Sequence, residues 1–252
     1  MNHPIVALWA HPRSMSTATE RVMLERGDCT VFHEPFLADY YLHRALRPMP
    51  MLEAKRAGTK DYVAMRAEIL AAGERGPVFF KDMSYYVLPR MFDDRAFAAR
   101  LCNVFLVRDP RRSIASYARL DPDFTDEEVG LEAQWRHAVF LRDAMGAAPI
   151  VIAAEALAED PQRVIGKVWA RAGLPFVASA FSWQAGEVPE AWEYVAGWHG
   201  AAVNSTGIRR DETDPEEAFK AAADKLPRLR GYLAHHWPFY ARLMEMAESD
   251  AE

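Results

Sequence analysis

Short apolar runs alternate with longer segments of helical periodicity along most of the chain. Five of these runs cover residues 5–10, 29–33, 77–81, 102–107 and 149–154, and most are rich in valine, isoleucine or phenylalanine. Runs of this length and composition are typical of strands that are buried on both faces. The alternation of strand and helix therefore predicts an α/β fold in which a central parallel five-stranded sheet lies between two helical layers.

Local start and stop signals mark individual helices between these runs. Asp109 followed by Pro110, and Asp160 followed by Pro161, each combine a side chain that can cap a helix with a proline that fits its first turn. The helix that starts after Asp160 is expected to end at Gly173, because glycine readily adopts the left-handed conformation found at helix ends.

The remaining segments carry no sign of a second domain. Residues 184–215 have weak periodicity and are expected to form a long ordered loop or lid. A final helical segment is expected over residues 215–248. Because no internal repeat or low-complexity linker interrupts the chain, we predict a single domain over residues 1–252.

Composition and charge argue against several classes of function. Half of the 252 residues are hydrophobic and the formal net charge is −6, which disfavours nucleic acids and anionic membranes as partners. No apolar stretch approaches the ~20 residues of a membrane helix, and the first apolar run is too short for a signal peptide. Cys29 and Cys102 lack disulfide-framework or zinc spacing, and His235 and His236 have no apparent third ligand. We expect a cytoplasmic protein without a metal site.

The loop HPRSMST, which follows the first apolar run, has the position of an anion-binding loop. The first turn of the next helix offers unpaired N–H groups, to which Arg13 adds a cation and Ser14, Ser16 and Thr17 add hydroxyl groups. The loop lacks the glycines and the lysine of a Walker A sequence, so phosphoryl transfer from ATP is poorly served. The structural alternative is an ordinary strand–turn–helix corner with a capping serine.

A second group of cations follows the fourth run. Arg108 ends that predicted strand, and Ser116 lies eight residues later on the next helix. Because ligands gather at the carboxyl ends of parallel strands, we expect Arg108 and Arg13 to face the same edge of the sheet. Two cationic sites there suit a ligand that is phosphorylated at two separate places. The alternative is a solvated basic helix start, although Arg111 and Arg112 oppose the helix dipole.

At these motifs the sequence resembles a known family, the sulfotransferases that use 3′-phosphoadenosine 5′-phosphosulfate (PAPS). Their first motif reads roughly PKSGTT or PRSGST; HPRSMST is similar, with Arg13 in the Lys/Arg place and Met15 where the family usually has glycine. Their second motif ends a strand with arginine and has a serine eight residues later, as Arg108 and Ser116 do. Residues 152–176 look like a third family stretch.

The resemblance implies a three-layer α/β/α fold of the P-loop nucleotide hydrolase type and a PAPS site. The Arg108 and Ser116 pair would bind the 3′-phosphate, and residues 204–210 would form a closing loop that brings Arg209 or Arg210 to the nucleotide. The product would be 3′,5′-adenosine bisphosphate, and no metal is expected. The residues implied at the 5′-phosphosulfate are Arg13, Ser14, Met15, Ser16, Thr17 and Ala18.

The resemblance also implies where the reaction takes place. Cytosolic members of the family use a histidine just after the third strand, and Met83 occupies that place here. Carbohydrate-type members instead use a glutamate soon after strand two and a KxxxYF stretch after strand three. Glu34, Lys81 and Tyr85 match those features.

We therefore predict that Glu34 is the general base and that Lys81 and Arg13 stabilise charge on the transferring group. His33 is the second choice of base, because the ordinary pKa of an imidazole lies nearer the operating pH, and Asp82 is the third. The structural alternatives are that Glu34 caps the following helix and that Lys81 pairs with Asp82 or is solvated.

These features imply transfer of a sulfuryl group from PAPS to a hydroxyl of a small molecule, lipid or sugar. One alternative is a catalytically silent nucleotide-binding protein of the same fold. Another is a P-loop small-molecule kinase, although the missing Walker A lysine argues against it. Trp183, Trp192, Trp198 and the aromatic stretch 36–52 favour an acceptor with an apolar or ring-shaped body. The sequence gives no indication of oligomeric state.

Overall fold

The computed structural model describes residues 2–44 and 47–249, and its centre is a parallel sheet. The strands are β1 Ile5–Ala10, β2 Thr30–His33, β3 Val78–Met83, β4 Cys102–Val107 and β5 Ile150–Ala153. Their order is β2-β3-β1-β4-β5, and each neighbouring pair is parallel. The five-stranded α/β architecture predicted from the sequence is confirmed.

Helices connect the strands and cover the sheet. They are α1 Ser16–Arg26, α2 Ala54–Ala57, α3 Tyr62–Arg75, α4 Ser84–Val87, α5 Arg90–Asp93, α6 Arg95–Arg100, α7 Pro110–Leu120, α8 Leu131–Val139, α9 Ala154–Glu159, α10 Pro161–Ala172, α11 Gly200–Val203, α12 Pro215–Lys225 and α13 Leu229–Ser249. Turns of 3₁₀ helix cover Glu127–Val129, Ala178–Phe181 and Glu190–Trp198, and π-helical turns cover Asp39–His43 and Phe140–Ala144. No helix in the described part of the chain combines the length and apolar character that a bilayer crossing requires.

The strand side chains alternate between two apolar cores, one on each face of the sheet. In β1, Ile5, Ala7 and Trp9 pack into a core that includes residues of α3, α7, α8, α12 and α13. Val6 and Leu8 pack into the second core, with residues of α1, α9 and α10. Because helices cover both faces, all six residues of β1 are buried, as its uninterrupted apolar sequence requires.

The helix boundary signals are confirmed. The Asp109 carboxylate accepts a hydrogen bond from the backbone N–H of Arg111, and the Asp160 carboxylate accepts one from the N–H of Arg163. Gly173 ends α10 with φ 72°, in the left-handed region. These caps satisfy N–H and C=O groups that have no partner inside the helix.

Two boundaries differ from the prediction. Strand β3 continues to Met83, so Lys81 lies within the strand rather than at its end. The final helical segment is two helices, α12 and α13, because Pro227 between them has no N–H to continue a helical ladder. Within the aromatic stretch 36–52, residues 45 and 46 lie outside the described residues.

Gly130 packs against the loop that follows β1, so a substitution at this position tests the packing there. Its φ is +82°, and a Cβ there would lie 3.1 Å from the Cβ of His11 and 3.4 Å from the ring of Tyr85. We expect Gly130→Ala to lower the free energy of unfolding by about 2–4 kcal/mol, because left-handed strain adds to overpacking. Gly146→Ala is the control, since its φ is +64° and no described atom lies within 4 Å. It should lose only about 1–2 kcal/mol in urea unfolding; equal losses would contradict the packing.

Candidate active site

The loop between β1 and α1 has the backbone shape of an anion site. Arg13 and Met15 have φ values of 65° and 75°, so two residues other than glycine adopt the left-handed conformation on either side of Ser14. Such alternation turns successive N–H groups towards one concavity, and here that concavity meets the N-terminus of α1. The left-handed conformation of Met15 costs about 1–2 kcal/mol. Packing of its side chain on the second core offsets part of that cost.

Side-chain contacts bring the two predicted anion motifs together. The Arg13 Nε donates to Ser116 Oγ at 3.1 Å, and Arg108 Nη1 donates to the backbone oxygen of Arg13 at 2.8 Å. Arg13 Nη1 also donates to the backbone oxygen of Trp198 at 2.7 Å. Burial, and then the charge of Arg108, lowers the pKa of Arg13 to about 10, which leaves the guanidinium charged at neutral pH.

The loop and the predicted lid enclose a cavity of about 340 Å³, here called the first cavity. Of the predicted cofactor residues, those that line it are Arg13, Met15, Ser16, Thr17, Ala18, Arg108 and Arg209. Ser116 lies behind the Arg13 guanidinium. Ser14 is fully buried, and its Oγ has no hydrogen-bond partner among the described residues. Residues 198–209 supply much of the opposite wall.

Sequence reasoning missed a carboxylate at this site. Asp211 accepts a hydrogen bond from Arg108 Nη2 at 2.6 Å and lies 3.5 Å from Arg112 Nη1. The Asp211 carboxylate therefore occupies the place beside Arg108 where an anionic group of a ligand would be expected. Asp211 follows two arginines in the sequence, but nothing in that spacing indicates a partner 103 residues earlier.

A second cavity of about 40 Å³ lies beside the first and contains the predicted catalytic pair. Lys81 Nζ donates to Glu34 Oε1 at 2.6 Å, and both side chains are buried. Glu34 follows β2 with φ 40°, a left-handed backbone that is held at the edge of the sheet. The residues that line both cavities are Arg13, Ser16, Thr17, Trp198 and His199.

The charges around Glu34 decide its protonation. Burial alone would raise the pKa of Glu34, but the charges of Lys81 and then His33, with hydrogen bonds from Lys81 and Tyr86, hold it below its ordinary value. Glu34 is therefore ionised at neutral pH. An ionised carboxylate next to an ammonium group and an anion loop can take a proton from a hydroxyl and leave a cation near the transferring group.

The other two candidate bases are engaged by partners elsewhere in the protein and do not line the second cavity. His33 Nδ1 lies 2.7 Å from Glu20 Oε2, and its Nε2 lies 3.0 Å from His199 Nε2. Asp82 accepts the backbone N–H groups of Phe36 and Met83, each at 2.8 Å, and burial followed by the charge of Glu34 raises its pKa well above the usual value. Neither side chain lines the first or the second cavity. Of the three candidates, Glu34 is therefore the one placed to reach a hydroxyl group bound there.

The predicted lid contributes a histidine and one of the three tryptophans. His199, which the sequence analysis did not single out, follows the Glu190–Trp198 turn and lines both cavities. Trp198 also lines both cavities, whereas Trp192 donates to Glu20 and Trp183 packs in the second core. Of the three tryptophans that the sequence analysis associated with an apolar acceptor, only Trp198 lines these two cavities.

The described residues include one group of potential metal ligands, which lines neither cavity. Donor atoms of Asp126, His235 and His236 lie within 4.8 Å of one another. His236 Nε2 contacts the backbone oxygen of Asp126 at 2.8 Å, and its Nδ1 accepts the backbone N–H of Glu132 at 3.3 Å. Because the chain itself engages both ring nitrogens of His236, the cluster supplies no free imidazole ligand from that residue.

Comparison with known proteins shows which family this chain belongs to. The family described as "Sulfotransferase domain" matches residues 4–243. Two Arabidopsis thaliana proteins, branched-chain-amino-acid aminotransferase-like proteins 2 and 1, are 24% and 25% identical to 84% and 92% of this chain. The match covers 37% and 42% of those proteins, so the chain spans about two-fifths of their length.

One solved structure is similar across nearly the whole chain. The structure of a sulfotransferase from Alicyclobacillus acidocaldarius is 15% identical, with a TM-score of 0.54. The superposition covers 98% of this chain and 97% of that one. At this level of identity the likeness shows a shared fold.

Removing one member of the Glu34–Lys81 pair leaves the other charge buried without its partner. We expect Lys81→Met and Glu34→Gln each to lower the free energy of unfolding at pH 7 by about 3–5 kcal/mol. The double variant should lose less than the sum, because neither charge is then stranded. Lys60→Met is the control, since Lys60 pairs with Glu68 on the surface and should cost at most about 1 kcal/mol. Additive losses in urea unfolding would show that the pair is not coupled.

The same pair predicts a pH dependence. Because the pKa of Glu34 is lowered in the folded state, its stabilising contribution is complete above the unfolded value of about 4.3 and is lost as the pH falls through the folded value. The difference in unfolding free energy between the wild type and Glu34→Gln should therefore shrink below about pH 4. A difference that grows in acid would contradict the direction of the shift.

Proposed function

The chain belongs to the sulfotransferase domain family, and on that premise we propose that it transfers a sulfuryl group from PAPS to a hydroxyl of a small molecule, lipid or sugar. The observation that carries the proposal is the shared wall between the two cavities. Arg13, Ser16 and Thr17 belong to the anion loop and line both the first cavity and the second, which contains the buried Glu34–Lys81 pair. Donor and acceptor groups bound in the two cavities would meet at this wall.

The first cavity fits the donor in size and charge. Its volume of about 340 Å³ lies within the usual range for a small-molecule site of roughly 300–1,000 Å³. The N–H groups at the start of α1, with Arg13, Ser16 and Thr17, would bind the 5′-phosphosulfate. Arg108 would bind the 3′-phosphate, and Arg209 would contact the nucleotide from the lid, both as cations that line the cavity.

In the proposed reaction the acceptor oxygen forms a bond to sulfur as the bond between sulfur and the phosphate oxygen breaks. Glu34 accepts the proton of the hydroxyl group. Lys81 and Arg13 stabilise the negative charge that develops on the oxygen of the leaving phosphate. The Tyr85 hydroxyl, which is buried and has no hydrogen-bond partner among the described residues, borders the second cavity and can orient the acceptor.

The lining of the second cavity favours an acceptor with an apolar or ring-shaped body. Four aromatic side chains line it together with the ionised Glu34, so a ring that carries the reacting hydroxyl group can pack against them while the hydroxyl group reaches the carboxylate. The aromatic residues are Tyr85, Tyr86, Tyr117 and Trp198.

Nucleotide binding without transfer is the second candidate function. Asp211 favours it, because the carboxylate on Arg108 competes with a 3′-phosphate. A P-loop kinase has less support, since Ser16 lies at the start of α1 where the Walker lysine would be.

Two variants of one ion pair should have opposite effects on donor binding. In calorimetric titration with 3′,5′-adenosine bisphosphate, Arg108→Ala should weaken binding by about 10- to 100-fold, because charge-assisted hydrogen bonds to the 3′-phosphate are lost. Asp211→Asn should tighten binding by up to about tenfold, because the competing charge is removed. The affinity for 5′-AMP should change little in either variant. Arg163→Ala, at an exposed pair with Asp160, is the control; equal weakening of both ligands by Arg108→Ala would remove Arg108 from the 3′-phosphate site.

Glu34→Gln tests the base separately from the donor site. We expect sulfuryl transfer from PAPS to a panel of phenols, sterols and sugars to fall by about 10²- to 10⁴-fold, with the affinity for 3′,5′-adenosine bisphosphate kept. Release of the bisphosphate measures the reaction. Wild-type protein that binds the bisphosphate tightly but transfers to no acceptor would support the silent nucleotide-binding function instead.

A further inference from the structure

A chain of four polar side chains runs from the interior of the protein to the anion loop. Glu20 Oε2 lies 2.7 Å from His33 Nδ1, and His33 Nε2 lies 3.0 Å from His199 Nε2. His199 Nδ1 in turn lies 3.3 Å from Thr17 Oγ1. Glu20, His33 and His199 are all buried, and the proposed reaction uses none of them.

The partners at the inner end orient the first hydrogen bond. The Trp192 indole can only donate, and it donates to Glu20 Oε1 at 2.8 Å, so the Glu20 carboxylate accepts there. With Glu20 as acceptor at its other oxygen too, His33 carries a proton on Nδ1 and uses Nε2 towards His199. This leaves two arrangements for the outer half of the chain, which differ by one proton.

The two arrangements give Thr17 opposite roles. With a neutral His33, His199 donates from Nε2 to His33, and its Nδ1 must accept the hydroxyl proton of Thr17. With a protonated His33, the direction reverses: His199 accepts at Nε2 and donates from Nδ1 to Thr17 Oγ1. The Thr17 hydroxyl is then free to donate to an anion in the first cavity, which Thr17 lines.

The hydrogen-bond geometry favours His33 over His199 as the site of the extra proton, because only His33 has a carboxylate on one of its ring nitrogens. Burial, the main cause, holds the pKa of His199 well below its ordinary value. His33 instead lies between Glu20 and Glu34, whose Oε1 is 3.9 Å from His33 Nε2. An anion bound at the loop offsets the charge of Arg13 and makes a net gain of one proton here less costly.

We propose that Glu20, His33, His199 and Thr17 form a proton relay through which binding of an anion at the loop is coupled to the uptake of one proton by His33. The inference rests on the proposed function, because it takes the 5′-phosphosulfate group as the anion. His199 is a positioning residue in this scheme: it belongs to the lid segment and sets the direction of the Thr17 hydroxyl. Anion affinity then increases as the pH falls, because the ligand prefers the protonated relay.

Calorimetry in buffers of different ionisation enthalpy tests the relay directly. Wild-type protein should take up about one more proton per 3′,5′-adenosine bisphosphate than His199→Gln takes up at some pH between about 6.5 and 8.5. Over that interval, each unit fall in pH should increase the affinity of the wild type for the bisphosphate by up to about tenfold more than it increases that of His199→Gln. Comparing the two proteins with the same ligand cancels titration of the phosphates. Thr17→Val should behave as His199→Gln does, and His235→Gln, at an exposed histidine away from the site, should behave as the wild type.

The outcomes separate the relay from the proposed function. If the wild type and both relay variants bind the bisphosphate with equal proton uptake, the relay is wrong and the nucleotide site stands. If the wild type does not bind the bisphosphate, the proposed function fails, and histidine ring ¹⁵N spectra with inorganic sulfate judge the relay. Protonation of His199 Nδ1 on addition of sulfate would support it, and an unchanged spectrum would overturn it.

Discussion

The Arg13 guanidinium is the contact on which the rest of the site depends. A guanidinium that is withdrawn from water loses hydration, which hydrogen bonds from the protein must offset, and here Ser116 and the backbone oxygen of Trp198 accept from its Nε and Nη1 from two distant parts of the chain. Arg108 closes the arrangement by donating to the backbone of Arg13. The strand ends, α7 and the turn before His199 are therefore fastened to one another through a single side chain, and the first cavity is the space that remains between them.

Several features of the site are unfavourable for the stability of the folded chain. Arg13, Met15 and Glu34 adopt positive φ values without being glycine, and the three surround the shared wall of the two cavities. Two cations, the half-buried Arg13 and the buried Lys81, line this wall in a protein whose formal net charge is −6. Strain that is concentrated at one edge of a sheet is more costly than an ordinary corner, and an anion bound beside the Arg13 guanidinium gives a physical reason for it, whereas Lys81 already has Glu34 as its partner.

Much of the fold followed from local sequence, because its signals are local. The five strands are uninterrupted apolar runs, and the helix starts at Asp109 and Asp160 are capping residues next to prolines. The placement of Arg13 and Arg108 at one edge followed from the geometry of parallel strands. By contrast, Asp211 and His199 reach their partners across 103 and 166 residues, and no spacing rule connects them. The end of β3 was placed too early because Lys81 is charged, yet its pairing with Glu34 allows it to lie inside a strand.

The small size of the second cavity sets the selectivity problem that such a protein faces. Its volume of about 40 Å³ is much smaller than the 340 Å³ of the first cavity, so it has room for the reacting end of an acceptor but not for its whole body. In the proposed reaction, water presents the same O–H bond to Glu34 as an alcohol does, so hydrolysis of the donor would compete with transfer. Discrimination against water has to come from the body of the acceptor, which gains contact with the aromatic rim while its hydroxyl group displaces the solvent.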